Sequence, residues 1–334
     1  LREGIVPLWC PYSAGGFPFL AEGQAGLLHP LNWIAFQVLP FSVAYNWTLL
    51  VHLMIMGIGS IRLFRRFEYS NLSSLSAAIA FTFSGYFIRK LMFVNYIQVF
   101  CYLPWLLLLV SQKGDSRRTS RVIAIALLVL LQTLAGHPQA LILTLLTTFL
   151  FFLFAPVVQR SRSRFLFAST GVVLGLVLGS VQLLPTAELL LKTPRMGADV
   201  GILSGQMSLP PVYLLATFLN HPFGSAHNGT FDSRLWSAYE WELSLFVGII
   251  VLFLAVHARM KDRNTRFFLG CLLLGLTLSL GHFTSLSSVL NQIPLINSFR
   301  IPARWSFIAI FGLSGLCAQG IDNLTNDIKV NSQR

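Results

Sequence analysis

Long apolar stretches separated by short polar connections run along most of the chain. Stretches of roughly 17–22 mainly apolar residues recur, which is the length that crosses a bilayer core as an α-helix. Several stretches are shorter, which favours tilted or partly buried helices. The pattern predicts an all-α fold, a polytopic transmembrane helix bundle of about nine spans. The predicted spans are 43–61, 72–88, 93–110, 122–135, 139–157, 165–184, 241–256, 267–280 and 305–321.

Composition supports a membrane protein. The 334 residues include only 24 basic and 12 acidic side chains, 11% of the chain, whereas a soluble globular chain carries roughly 25%. The apolar fraction is 54%, which leaves too few polar residues to cover a compact soluble protein. A water-soluble enzyme is therefore excluded. The four cysteines form no C-x-x-C motif, so they indicate neither a disulfide framework nor a zinc site.

Basic residues are concentrated in alternate connections between the predicted spans. Because positively charged loops stay on the cytoplasmic side of a membrane, we assign these connections to the cytoplasm. The basic residues build no continuous face, so nucleic acid is not an expected partner. The assigned connections hold 16 of the 24 basic residues, at 62–66, 113–121, 160–164, 259–266 and 329–334.

This sidedness predicts the organisation of the chain. An extracytoplasmic segment with an interfacial stretch precedes the bundle, and a short cytoplasmic tail follows it. The outer loops are longer and richer in ionisable and aromatic residues than the inner ones, so any chemistry is expected outside. The boundaries are 1–42 for the outer segment, 43–321 for the bundle, 185–240 and 281–304 for its outer loops, and 322–334 for the tail.

Two outer turns offer candidate sugar contacts. Proline and glycine around Trp9 and Tyr12 exclude a regular helix, yet the aromatics are too apolar for a solvated linker. That segment is either an interfacial anchor or an ordered wall of a substrate site. In the second turn, Pro138 suits the first turn of a helix, and the positive helix end keeps His137 neutral. His137 and Gln139 could then bind sugar hydroxyls, or His137 could be a structural turn residue.

Two arginines flank a proline just before the last predicted span. Arg300 and Arg304 have no acidic residue within fifteen positions. Unpaired arginines at a bilayer surface are costly unless they meet an anion, and guanidinium groups match phosphate oxygens. We therefore predict a clamp for a lipid phosphate, with general headgroup anchoring as the alternative. Arg89 and Lys90 either extend to the membrane surface or contact such a phosphate.

The long outer loop and its end hold further ionisable side chains, among them His221, Asp232, Glu240 and Glu242. Three carboxylates within eleven residues could supply a base or hold a divalent cation. The carboxylates have no regular metal-ligand spacing, so no metal ligand is assigned. No other cofactor is indicated.

Several short motifs occur in a set order along nearly the whole chain. In this ordered set the chain resembles the bacterial YfhO-type membrane proteins, within the wider GT-C class of polyprenyl-phosphate-sugar-dependent glycosyltransferases. The motifs are Pro7-Leu8-Trp9-x-Pro11 with Gly16 and Pro18, His29-Pro30-Leu31-Asn32, Phe83-Ser84-Gly85, Leu103-Pro104-Trp105, Gly136-His137-Pro138-Gln139, Gln182-Leu183-Leu184-Pro185-Thr186 and Phe299-Arg300-x-Pro302-x-Arg304.

The resemblance implies a GT-C-like helix bundle in the bacterial cytoplasmic membrane. Such a protein would move a sugar from a polyprenyl-phosphate carrier to an extracytoplasmic cell-envelope polymer or lipid. Related enzymes place a catalytic acid after a first helix and extend further at the C-terminus. The chain is therefore expected to be a fragment without that helix, that acid and the C-terminal part.

Within the chain, the implied reaction assigns roles to the candidates above. Two alternatives stay open, a transporter or flippase of a lipid-linked precursor and a noncatalytic scaffold of an envelope assembly complex. Enzymatic activity is therefore itself an expectation. The assigned contacts are Arg300, Arg304, Arg195 and Arg89 for the carrier phosphate, His137, Gln139, Trp9 and Tyr12 for the sugar or acceptor, and Glu240 or Asp232 as a reserve base.

Overall fold

The fold is helical, as the sequence predicts. A computed structural model describes residues 7–12, 15–114, 117–192, 207–233, 238–286, 289, 292 and 301–332. Within these ranges the chain forms helices and no β-strand. The α-helices are α1 Phe19–Glu22, α2 Pro30–Val38, α3 Phe41–Arg66, α4 Asn71–Thr82, α5 Gly85–Ile88, α6 Val94–Phe100, α7 Leu103–Ser111, α8 Arg118–Leu134, α9 Pro138–Phe154, α10 Arg162–Leu178, α11 Ser180–Lys192, α12 Ile249–Val256, α13 Arg263–Ser279 and α14 Ser306–Ser332.

Among the described residues, fewer helices meet the length and hydropathy criteria for a membrane span than the nine spans predicted. Three helices of the described residues qualify, at Phe41–Arg66, Val94–Ser111 and Pro302–Ser332. A fourth is added if α10 and α11, bent by 71° at one break, form a single span. The helices thus support a membrane protein but do not confirm nine spans.

Two predicted spans show why the count differs. The span at 72–88 is broken after Thr82, and the new short helix α5 begins at Gly85, after the N-cap residue Ser84. In the span at 241–256 only α12, eight residues long, is α-helical. Before it, Gly248 has a φ of +93°, a left-handed conformation that interrupts a helix. Apolar composition extends across both breaks, so hydropathy alone does not detect them.

The described chain divides into two compact units. The first comprises residues 1–59 and 91–196, and contains α1, α2, most of α3, and α6 to α11. In this unit α10 packs on α8 through a stripe of glycines. A Cβ atom added at Gly175 would lie 2.6 Å from the Ala126 carbonyl oxygen and 2.7 Å from Val129 Cβ. Small residues at such positions let two helices approach closely, as is common in membrane proteins.

The second unit comprises residues 60–90 and 197–334. Its long helix α14 packs against α4, α12 and α13. A Cβ atom at Gly312 of α14 would lie 2.5 Å from the Phe268 carbonyl oxygen of α13, so this contact also depends on glycine. At the start of α4, the Ser73 hydroxyl donates to Asp322 of α14 over 2.6 Å. These contacts build the frame that carries the candidate site.

Candidate functional site

The candidate site lies in the second unit and begins at the end of α5. Gly85 starts this helix and donates its N–H to the Phe246 carbonyl over 2.7 Å. A Cβ atom at Gly85 would lie 2.6 Å from Ser244 Oγ, so only glycine permits this approach. The contact brings Arg89 and Lys90, directly after α5, to a 3-10 turn at Glu240–Glu242.

The first half of the site is a carboxylate held by three donors. Glu240 Oε1 lies 2.7 Å from Arg89 Nη1 and 2.6 Å from His221 Nδ1. Glu240 Oε2 accepts from the Ala226 backbone N–H over 2.5 Å. Arg89 also donates to the backbone carbonyl and the side-chain oxygen of Asn220. The carboxylate therefore connects α5 to the loop at 220–226.

An open pocket of about 530 Å³ lies beside this carboxylate. Its size falls within the ~300–1,000 Å³ range of small-molecule sites. The loop that forms it is closed by backbone and side-chain bonds between Ser225 and Thr230, including a 3.0 Å bond from the Thr230 N–H to the Ser225 carbonyl. The pocket is lined by His221, Gly224, Ser225, His227, Asn228 and Thr230.

The second half of the site is a buried ionic cluster. Glu242 accepts from Arg304 Nη2 at 2.7 Å and from Arg304 Nε at 3.1 Å. Lys90 Nζ lies 3.3 Å from the other Glu242 oxygen and donates to the Trp241 carbonyl over 2.6 Å. The Lys90 ammonium also lies 4.0 Å from the centre of the Tyr86 ring. The side chains of Lys90 and Glu242 are only 1% and 2% exposed.

Burial and charge act in opposite directions on this cluster. Burial alone would raise the pKa of Glu242, but the charges of Lys90 and Arg304 outweigh it and lower the pKa to about 2. Burial lowers the pKa of Lys90 to about 8, against the attraction of Glu242. Glu242 is thus ionised at neutral pH. An ion pair buried so fully requires its partners, because desolvating a lone charge is costly.

Arg304 differs from the sequence expectation. Proximity along the chain suggested that it lacks an acidic partner, and that is wrong, because Glu242 lies 62 residues earlier and binds it through two nitrogens. Arg89 is likewise bound to a carboxylate, Glu240. Arg300 and Arg195 lie outside the described residues. Asp232 belongs to the second unit, and its side chain is exposed.

The candidate sugar contacts belong to the first unit. His137 caps α9, and its Nδ1 accepts from the Ala140 N–H over 3.1 Å. Because Nδ1 accepts this bond, it carries no hydrogen. The single ring hydrogen is then on Nε2, and the imidazole is neutral. Gln139 is half-buried beside it. Trp9 and Tyr12 are 56% and 94% exposed.

A second group of buried polar side chains, in the first unit, was not predicted from the sequence. His29 Nε2 lies 3.2 Å from the Tyr102 hydroxyl, and the His29 and His52 rings are 5.2 Å apart. Burial, and then the charge that His52 would carry, lower the pKa of His29 to about 3. Asn32 of α2 and Gln98 of α6 pair through their side-chain amides. The His29-Pro30-Leu31-Asn32 motif was visible in the sequence, but the sequence did not show that His29 and Asn32 are buried.

Comparison with known protein families identifies the family of this chain. The model of the family described as bacterial membrane protein YfhO matches residues 26–333. The chain belongs to the YfhO family of bacterial membrane proteins. The resemblance found in the motifs is thereby confirmed, and so is the prediction of a membrane protein. No curated protein and no solved structure matches the chain significantly.

Proposed function

We propose that this YfhO-family protein is an integral membrane glycosyltransferase. It would move a sugar from a polyprenyl-phosphate carrier to a cell-envelope polymer or lipid on the outer side of the bacterial cytoplasmic membrane. The proposal includes about nine spans of GT-C-like architecture, some of them broken, as at Thr82. It also keeps the cytoplasmic side at the basic connections.

The observation that carries the proposal is the group of Arg89, Glu240 and His221 at the pocket. Sugar transfer by direct displacement needs a base for the acceptor proton and a cation for the leaving phosphate. The Arg89 guanidinium and the Glu240 carboxylate meet at 2.7 Å, and the pocket lies beside them. Cationic and basic side chains, the two kinds of group that the reaction needs, are therefore present in one place.

The reaction would proceed at the anomeric carbon of the sugar. The acceptor hydroxyl oxygen bonds to this carbon while its proton passes to the base. The bond from the carbon to the phosphate oxygen breaks, and its electron pair stays on the phosphate. Arg89, with Arg300 and Arg195 as proposed helpers, stabilises that charge. His137, Gln139, Trp9 and Tyr12 are retained as proposed sugar or acceptor contacts.

Arg304 takes a different part in this proposal. Its Nε and Nη2 are both bound to the buried Glu242, so a phosphate would have to compete with that carboxylate. We therefore assign it first to fixing the turn at 240–242, from which Glu240 extends. The contact of Arg304 with the carrier phosphate stays part of the proposal.

The test measures sugar transfer by the full-length protein. Membranes containing it receive a polyprenyl-phosphate carrier with a radiolabelled hexose, and label is counted in the acceptor and carrier fractions. We expect Arg89→Gln and Arg300→Gln each to lower transfer by about 10²-fold, the typical effect of losing a charge-stabilising donor. Arg117→Gln, in an exposed basic connection, is the control and should leave transfer unchanged. Unchanged transfer in both test variants would contradict the assignment.

A transporter of lipid-linked precursors is the second candidate, and His52 favours it. This residue is fully buried near the middle of α3, a candidate membrane span, and ionisable groups there commonly mark transport pathways. Label that crosses the membrane while remaining on its carrier, with none on an acceptor, would support transport and reject sugar transfer.

A further inference from the structure

His221 stands between the Glu240 carboxylate and the pocket. Its Nδ1 lies 2.6 Å from Glu240 Oε1 and 3.2 Å from Arg89 Nη2, and the side chain is 43% exposed. On the other side of the ring, Nε2 makes no hydrogen bond within the described part of the chain. Glu240 is the nearer of the two charged groups at Nδ1, and a carboxylate so close to a ring nitrogen favours the tautomer in which that nitrogen carries the hydrogen. Nε2 is then a free acceptor on a ring that lines the pocket.

Glu240 itself is poorly placed to take a proton from a substrate. It already accepts from Arg89, His221 and the Ala226 N–H, and its side chain is only 10% exposed. A substrate hydroxyl could reach it only by displacing one of these donors. The carboxylate instead holds the imidazole in place and offsets the charge that the imidazole gains on protonation, as the acid of a His-carboxylate pair does.

We infer that His221 is the general base of the proposed transfer, that Glu240 positions it, and that the pocket binds a hydroxyl-rich acceptor. The inference rests on the proposed function. The acceptor O–H proton passes to His221 Nε2 while the oxygen bonds to the anomeric carbon. The phosphate leaves with the electron pair of the broken bond, and the proton then passes from the imidazole to water.

The pocket suits an acceptor of this class. Besides His221 it presents the exposed side chains of His227 and Asn228, which together offer hydrogen-bond donors and acceptors. Its volume of about 530 Å³ admits a monosaccharide or a polyol unit. A pocket with neutral polar side chains and an imidazole favours hydroxyl groups over a charged ligand.

The experiment compares variants of the full-length protein in the transfer assay with native membrane acceptors. We expect His221→Ala to lose about 10²–10⁴-fold in turnover, the usual contribution of a general base, and to regain transfer when imidazole is added. His221→Gln, which keeps a polar side chain but has no basic ring nitrogen, should also lose turnover. Glu240→Gln should lower turnover at unchanged KM for the carrier, without rescue by imidazole. His257→Gln, half-buried and far along the chain from the pocket loop, is the matched control and should behave as wild type.

Each result decides the inference. Rescue of His221→Ala by imidazole supports it, because a purely structural role would not respond to a free base. Normal transfer in His221→Ala overturns it, and so does normal transfer in His221→Gln. Loss of transfer in His221→Ala that imidazole does not restore also overturns it. If wild type itself transfers no sugar, the proposed function has failed, and this outcome is distinct from all the others.

Discussion

Glu242 binds the guanidinium of Arg304 through Nε and Nη2, at 3.1 and 2.7 Å. The two residues are 62 positions apart, and the contact joins the turn at 240–242 to the segment that leads into α14. Lys90 completes the group from the end of α5. Two cations thus share one buried carboxylate, and this cluster fixes the turn from which Glu240 contacts His221, a residue of the pocket.

Removing the shared carboxylate should destabilise the protein strongly. Glu242→Gln removes the buried carboxylate that Lys90 and Arg304 share, and breaking a buried ion pair typically costs about 3–5 kcal/mol. Thermal unfolding in detergent measures the loss as a lower melting temperature. The matched control is Glu188→Gln, which breaks the exposed pair with Lys192, whose side chains are 67% and 70% exposed. Its melting temperature should hardly change, and equal effects in both variants would contradict the buried cluster.

The glycine stripe of α10 should tolerate no side chain. Gly175→Ala places a Cβ atom against the Ala126 carbonyl and Val129, so α8 and α10 must separate, at a cost of about 1–3 kcal/mol. Gly270→Ala in α13 is the control, because a Cβ atom there meets nothing within 4 Å. Better helix propensity should make that variant as stable as wild type or more so, by up to about 1 kcal/mol. Similar melting temperatures for both variants would reject this packing.

Hydropathy predicted the helical class correctly but not the helix ends. The break between α4 and α5 depends on Ser84, whose hydroxyl bonds to the Phe81 carbonyl, and on the close approach of Gly85 to Ser244. That second contact joins residues about 160 positions apart, so no local pattern reveals it. The apolar residues around α12 likewise hide the left-handed Gly248. Tertiary contacts therefore overrode the pattern at both places.

The candidate site was predictable in its residue types but not in its pairs. Arg89, Arg304 and Glu240 were recognisable as ionisable groups near predicted span ends. Their partners come from distant segments, so the sequence suggested that Arg304 was unpaired when Glu242 neutralises it. His221 was visible in the sequence, yet its importance depends on a 2.6 Å contact that spacing does not encode.

The buried His29 should make stability depend on pH. In the folded protein burial lowers its pKa to about 3, whereas an unfolded histidine titrates near 6.5. Below pH 6.5 the unfolded chain therefore binds a proton at His29 that the folded chain does not bind. The stabilisation by neutral His29 is complete above that pH and is lost as the pH falls toward 3. Between pH 7 and pH 5 the expected loss is about 2 kcal/mol.

His29→Gln tests this dependence, because the amide keeps a polar group near Tyr102 but does not titrate in this range. The melting temperature of wild type in detergent should fall from pH 7 to pH 5 more steeply than that of the variant. His257→Gln, which removes a half-buried histidine outside this group, should retain the wild-type slope. Parallel curves for wild type and His29→Gln would show that His29 is not buried in its neutral form.

The proposed sidedness predicts which residues a membrane-impermeant maleimide can label in intact cells. In a variant without the native cysteines Cys10, Cys101, Cys271 and Cys317, Asn228→Cys should react at once, because its pocket loop is proposed to be extracytoplasmic. Lys261→Cys, in a basic connection, should react only after the membrane is permeabilised. Both positions are exposed in the structure, so a difference in labelling reports the side of the membrane and not burial. Labelling of Lys261→Cys in intact cells, with protection of Asn228→Cys, would invert the proposed topology. The pocket would then lie on the cytoplasmic side, away from the extracytoplasmic acceptor.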